Sequence, residues 1–424
     1  MLNLLIPLLP DLTDLVNSSP VRIEFILFGL TLVGVAVFHH QTMRVALIGL
    51  ASILAFKLAF DPGFNLVEHI IGSETEHGEW SILLNLAGLL LGFAILAKHF
   101  EDSGIPLKLP DYLPDDWKGP FVLLAMTFVL SSFLDNIAAA MIGGAVAHVV
   151  FKGKVHIGFL AALIAASNAG GSGSVVGDTT TTMMWIDGVA ATDVLHAYVA
   201  AVPAFFIIGY FGARQQDKFQ PILREGPSDV IIEWKKIIVV AMILAGAIAA
   251  NVFLDFPAAG VWIAIILGAF ITKTPWEELQ HSLNGTIFLL SLVMCASMMP
   301  VEELPQASWQ TTFGLGFLSS VFDNIPLTKL ALEQGGYDWG MLAYAVGYGG
   351  SMIWFGSSAG VALSNLFPEA RSAVSYVRHG WHVILAYIVG FFILLAVRGW
   401  EPHEPYREGP APAHIEAPAV PAQP

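Results

Sequence analysis

Two short stretches hold the residues best placed to do chemistry. Residues 131–137 are SSFLDNI and residues 319–325 are SSVFDNI, so the pair Asp135-Asn136 recurs as Asp323-Asn324. A carboxylate beside a carboxamide concentrates oxygen donors, the ligand type a hard cation takes. A second motif follows each pair in the same order: GGSGSVVG at 170–177 and GGSMIWFG at 349–356, both fitting GGSxxxxG and containing Ser172 and Ser351. The surrounding stretch SNAGGSGSVVGDTTTT, 167–182, adds Asn168, Ser174, Asp178 and Thr179 to Thr182. Its glycines free the backbone, so that carbonyls also turn inward.

The charge inventory separates cation from anion. The motif regions contain Asp135, Asp178 and Asp323, and near them only one base, Lys329. Three acids against one base favour a cation. An anion site would show Arg or Lys, or rest on helix N-terminal ends alone. Lys329 lies six residues past Asp323 within an apolar stretch, where it either pairs with an acid, stands in for a departed cation, or snorkels. A carboxylate that is buried near another holds its proton more tightly than in water. A cation and protons then compete for the same oxygens, and exposing the site alternately to two sides gives exchange.

These groups sit in segments that only a bilayer accommodates. The 424-residue chain is 55% hydrophobic and 12% charged, with net charge −15 and mean hydropathy +0.68. Soluble domains are roughly a quarter charged. At about 20 apolar residues per crossing, the candidate spans are 22–39, 42–60, 80–97, 120–150, 155–186, 196–213, 235–254, 257–273, 284–300, 309–332, 341–365 and 381–399. Segment 120–150 is too long for one helix and carries Asp135-Asn136 near its middle. Segments 155–186 and 341–365 are interrupted by Gly, Ser and Thr. Such interruptions predict broken helices or re-entrant hairpins, whose backbone must be buried in protein or line a wet cavity. The fold class is all-α, a polytopic membrane protein built on a duplication. By the general pattern of carriers, the halves are inverted repeats that meet at the midplane.

Five regions follow: 1–119, N-terminal membrane helices; 120–213, a first repeat core; 214–236, a linker; 237–400, a second repeat; and 401–424, a Pro/Ala-rich tail expected to be disordered. The connections 98–119 and 214–236 are the most basic, with Lys98, Lys108 and Lys118 in one and Arg214, Lys218, Arg224, Lys235 and Lys236 in the other. Both are placed in the cytoplasm. The loop 61–79, with five acids and no Lys or Arg, then faces the other side. The N-terminal MLNLLIPLLP has no basic start and does not look like a cleaved signal peptide.

Other polar residues read more plainly. His39, His40, His148 and His196 fall near span ends, as interfacial or hydrogen-bonded side chains, with a pH-sensing role open for His148. Lys57 is expected to snorkel, and Asp187 and Asp193 to be solvated. The lone cysteine, Cys295, reads as a small buried apolar group. There is no phosphate loop, zinc motif or haem motif, and nothing points to nucleic acid. An intramembrane aspartyl protease would show GxGD, but VVGD at 175–178 has Val175 in place of the first glycine. No cofactor is expected beyond the transported ions; the partners are lipid, a cation and protons.

At NAGGSGSVVGDTTTTMMW (168–185), the two SSxxDNI elements and GGSMIWFGSSAGVALSN (349–365), the chain resembles the NhaD-type sodium/proton antiporters of the ion-transporter superfamily. The likeness runs through both halves, roughly 120–365. It implies inverted repeats, hairpins from opposite sides, a homodimer, and sodium or lithium efflux driven by proton entry in a bacterial inner membrane. Carried over by position, the ion-site candidates are Asp135, Asn136, Asn168, Asp178, Thr179, Thr180, Asp323 and Asn324, joined by Ser172, Ser351 and Lys329 from the motifs above. The rival reading is a cation-coupled carrier of citrate, dicarboxylate or another oxyanion. Related carboxylate carriers place Ser-Asn-Thr at hairpin tips; Ser167-Asn168 and Ser364-Asn365 match only in part.

Overall fold

The computed structural model describes residues 22–38, 41–72, 78–222 and 230–403. The N-terminal ten residues, His39, His40, Arg224 and most of the tail lie outside them. Within the described residues the regular structure is helical apart from one isolated bridge residue at Gly72. The helices are α1 (Ile23–Val37), α2 (Thr42–Phe60), α3 (Leu66–Ile71), α4 (Trp80–Glu101) and α5 (Ile105–Lys108). A first group follows: α6 (Lys118–Ser131), α7 (Asn136–Val150), α8 (Ile157–Ser172), α9 (Thr179–Ile186), α10 (Ala191–Leu195) and α11 (Tyr198–Phe219). Then come α12 (Trp234–Leu254), α13 (Pro257–Gly268) and α14 (Glu277–Ser297). The second group is α15 (Trp309–Ser319), α16 (Asn324–Gln334), α17 (Trp339–Gly349), α18 (Ser358–Leu366), α19 (Ala373–His379) and α20 (Trp381–Arg398). Six of the described helical segments are long and apolar enough to cross a membrane.

The two groups match helix for helix, α6–α11 against α15–α20, as the duplicated motifs require. The elements before them match too. α1 packs on α2 as α12 packs on α13, and the long helices cross over, α4 against α13 and α14 against α2. Close approach of α4 to α13 is allowed by small residues and fixed by polar contacts: Trp262 Nε1 donates to the Gly88 carbonyl at 3.0 Å, and the Ala258 N–H donates to Asn85 Oδ1 at 3.2 Å.

α4 and α14 run antiparallel. The start of α4 is tied to α3, where the Glu79 N–H donates to the His69 carbonyl at 3.1 Å. His69 in turn meets Ser297, at the end of α14, at 2.9 Å. At the other end of α4, the connections 98–119 and 230–236 meet: the Glu233 N–H donates to the Ser103 carbonyl at 2.8 Å, and Lys236 Nζ to the Asp102 carbonyl at 3.0 Å. The two most basic connections therefore share one face, and Glu79 lies about 33 Å away along the 22 residues of α4.

The breaks fall where the polar motifs are. Segment 120–150 divides into α6 and α7, and 155–186 into α8 and α9. Segment 309–332, which by length is a single crossing, is broken in the same way at 320–323. In both repeats the aspartate of the DN pair is the N-cap. Asp135 (φ −51°, ψ 142°) accepts from the Ile137 N–H at 3.1 Å, and Asp323 (φ −56°, ψ 140°) from the Ile325 N–H at 3.0 Å. A side-chain oxygen there satisfies one of the amides that a helix start leaves orphaned, which matters most where no water reaches.

Two readings of single residues change. Lys57 does not snorkel: it is buried and bonded to Asp61 at 3.0 Å, with Glu24 at 3.9 Å. Asp187 is buried rather than solvated and acts electrostatically on Lys329. His148 is exposed at the far end of α7 from Asp135, its ring 5.9 Å from that of Phe367. Cys295 is a free, buried thiol in α14, as expected.

Candidate functional site

The two motifs recur together because they touch. In the first repeat, Ser132 Oγ donates to the Gly170 carbonyl at 3.1 Å, and Ser174 Oγ to the Ser132 carbonyl at 2.8 Å. In the second, Ser319 Oγ donates to the Val346 carbonyl at 2.6 Å. A Cβ at Gly177 would lie 2.2 Å from the Ser131 carbonyl oxygen, and one at Gly356 would lie 2.4 Å from that of Ser320. The last glycine of GGSxxxxG is thus the point where the hairpin backbone rests on the break after SS. That contact sets the next residue, Asp178 or Ser357, as the cap of the following short helix.

Asp178 anchors a buried polar chain. Its Oδ1 accepts from the Thr180 N–H at 2.9 Å and the Thr180 hydroxyl at 2.8 Å. Its Oδ2 accepts from Asn136 Nδ2 at 2.9 Å. Asn136 Nδ2 also donates to Asn168 Oδ1 at 3.0 Å, and Asn168 Nδ2 donates to Ser351 Oγ at 2.9 Å. The last bond joins the two repeats. Asp178 is also within electrostatic reach of both Asp135 and Asp323. Asp323 Oδ2 accepts from Ser358 Oγ at 3.4 Å, and Thr179 stands beside Asp135 in the mirrored arrangement.

This cluster forms the floor of a cavity of about 940 Å³. Asp135, Asn136, Asp178, Thr179, Asn324 and Ser358 line the floor. The walls are apolar along α4 and α7, while α14 contributes Glu278, Ser282 and Thr286 as well as Leu289. The cavity reaches Lys98, Glu101, Asp102, Glu233 and Glu278, on the face where the two basic connections meet. Among the described residues that line it, Lys98 alone is basic, and it is bound to Glu101 and Asp102 at 3.1 and 3.0 Å. Two carboxylates therefore line the end of the cavity without a basic partner, and a third, Asp323, acts on Asp178 from the other repeat. Such an arrangement can hold one small cation or protons, and it repels an anion.

The remaining candidates divide. Ser172 donates within its own helix, to the Ala169 carbonyl at 2.9 Å, and its Cβ packs 3.4 Å from where a Cβ on Gly347 would be. Lys329 is fully buried but engaged elsewhere: its Nζ meets Glu79 at 2.9 Å and Glu333 on its own helix. Of the two acids, Glu79 is near the opposite end of α4 from the cavity mouth. Ser358 is a floor residue that sequence reading passed over. Aligning GGSxxxxG places Ser357-Ser358 opposite Asp178-Thr179, which is the signal that would have found it.

A family model described as Citrate transporter matches residues 21–349. The chain belongs to this family. Among curated relatives, it is 24% identical over 290 residues to Sodium/proton antiporter 1 of Arabidopsis thaliana, covering 57% of this chain and 49% of that protein. It is 24% identical over 331 residues to the Na+/H+ antiporter NhaD of Vibrio cholerae, covering 64% and 68%. For the Na+/H+ antiporter NhaD of Vibrio parahaemolyticus the match is 24% over 400 residues, covering 76% and 93%. The matched region spans about half the length of the plant relative. The resemblance to NhaD-type antiporters read from the motifs therefore holds along most of this citrate transporter family member, and its long apolar helices support an integral membrane protein.

Proposed function

We propose that this protein exchanges sodium, or lithium, for protons across a bacterial inner membrane. The observation that carries this reading is the end of the cavity: Asp135 and Asp178 line its floor, Asp323 of the other repeat lies within electrostatic reach of Asp178, and no basic residue lines the floor beside them. Asn136, Asn168, Thr179, Thr180, Asn324 and Ser351 supply neutral oxygens and fix the carboxylates. Sodium takes the oxygens when they are deprotonated, and protons take them when sodium leaves; the one excludes the other because both need the same negative charge. The acids at the mouth raise the local cation concentration.

Alternating access follows from an inverted pair of repeats, a reading supported by the antiparallel course of α4 and α14. The present cavity faces the side with the basic connections, the inward-facing form by the positive-inside rule. The opposite form would open beside α16. A homodimer embedded in lipid is the assembly we infer from the NhaD likeness.

Everted membrane vesicles test this. Sodium or lithium should collapse an imposed pH gradient, potassium and citrate should not, and Asp135→Asn and Asp323→Asn should each abolish the response. A gradient collapsed by citrate and indifferent to sodium would favour an oxyanion carrier and reject this one.

A further inference from the structure

The cavity is far larger than a sodium ion needs. At about 940 Å³ it lies at the upper end of the roughly 300–1,000 Å³ typical of small-molecule sites. Its chemistry is split along its length. The floor is carboxylate, amide and hydroxyl; the walls along α4 and α7 are hydrocarbon, and α14 adds Ser282 and Thr286 on the remaining side. Leu86, Leu89 and Phe93 form one face of α4, and Met141, Ile142 and Val149 face them from α7. From Leu86 to Lys98 this lining runs about 18 Å along the helix. A sodium ion gains nothing from such walls. A cation that carries its own hydrocarbon gains at both ends.

We propose that the same site binds lipophilic organic ammonium ions in competition with sodium. The ammonium head sits against Asp135 on the cavity floor, donating to the carboxylate and taking over the hydrogen bond that Thr179 makes to it. The alkyl tail lies along α4 and α7 toward the mouth. A carboxylate of equal length is refused, because the floor offers negative charge and no basic group; an alcohol of equal length gains the walls but no ion pair and binds far more weakly. This rests on the cation-site reading above, and the experiment below separates failure of one from failure of the other.

Purified protein in nanodiscs is loaded with radioactive sodium and titrated with propyl-, pentyl- and heptylammonium, with heptanol and heptanoate as controls. Displacement should be competitive, and affinity should rise about fourfold per added methylene, which is the ~0.8 kcal/mol of a buried CH₂ at ~1.4 kcal/mol per tenfold. Heptanoate should displace nothing, and heptanol should displace far less than heptylammonium. Leu89→Ser and Phe93→Ser should flatten the chain-length series while leaving sodium affinity unchanged; Asp135→Asn should abolish binding of every ammonium. If sodium binds but displacement is absent or independent of chain length, the inference is overturned and the cation reading stands. If sodium itself does not bind, the cation reading falls, and this inference with it.

Discussion

The two repeats share a backbone plan and differ in what they put on it. Both break after SS, both cap the next helix with the aspartate of DN, and both rest a hairpin glycine on a carbonyl of the break. Yet the register that holds Asp178 in the first repeat holds Ser357 in the second, and that of Asn168 holds Gly347. A Cβ on Gly347 would lie 3.7 Å from Asp178 Oδ2, so the absent side chain leaves room for the other repeat's ligands. Likewise, Met141 lies on the cavity wall of α7, while its counterpart on α16 is Lys329, buried against Glu79 and Glu333. Duplication supplied two equal frames. One frame carries most of the candidate ligands, and the cavity opens along α7 while α16 is held by Lys329 against Glu79 and Glu333.

Ways to break that comparison begin with the largest effect. Asp178→Asn removes a buried charge that the cluster is built around, and exchange should fall by about 100-fold or more, the scale of a lost buried ionic partner. Ser357→Asn, at the same register, keeps a cap acceptor at a buried position and removes no charge, so exchange per folded protein should fall far less than with Asp178→Asn. Vesicle transport rates compare the two; equal losses would mean that the asymmetry assigned here is false.

Lys329→Met makes α16 resemble α7 but strands Glu79 in the protein interior. Breaking a buried pair by removing one partner costs about 3–5 kcal/mol, so the melting temperature in detergent should drop sharply. Adding Glu79→Gln should restore most of it. No restoration would show that Lys329 matters for something other than this pair.

Gly177→Ala and Gly356→Ala should behave alike, because both drive a methyl into a carbonyl. Overpacking of this kind costs about 1–3 kcal/mol, measurable as lower yield and thermal stability in each. A clear difference between them would weaken the claim that the frames are equivalent. The smallest effect concerns the caps of α8 and α17. His156 Nδ1 accepts from the Gly158 N–H at 3.1 Å, and Asp338 Oδ1 from the Met341 N–H at 3.0 Å. Alanine at either should cost about 1 kcal/mol, and His156→Asn, which keeps an acceptor, should cost less than His156→Ala.

Much of this was legible in the chain itself. Asp135, Asn136, Asn168 and Asp178 were recognisable because polar side chains inside oil need a reason, and the structure hydrogen-bonds three of them directly to one another. The break at 320–323 was harder to see, since 309–332 has the length of one ordinary crossing and only its SSxxDNI repeat hints otherwise. That Lys329 pairs with an acid was one of the readings open from sequence, but which acid was not legible. Its partner Glu79 lies 250 residues earlier in sequence, at a helix start that local pattern places in an acidic loop. Lys57 and Asp187 misled for the same reason: burial of a charge depends on a neighbour that only tertiary packing supplies. Ser358 was overlooked because a serine in an apolar run carries little signal until the repeats are superimposed.

The central claim is that sodium and protons contend for one set of carboxylates, and the most direct test is proton release. Sodium added to purified protein in weak buffer near neutral pH should liberate protons, and the apparent sodium affinity should fall by up to about tenfold for each unit that the pH is lowered. Asp178→Asn should lose the release. Sodium that binds with no protons set free, at an affinity indifferent to pH, would contradict the account.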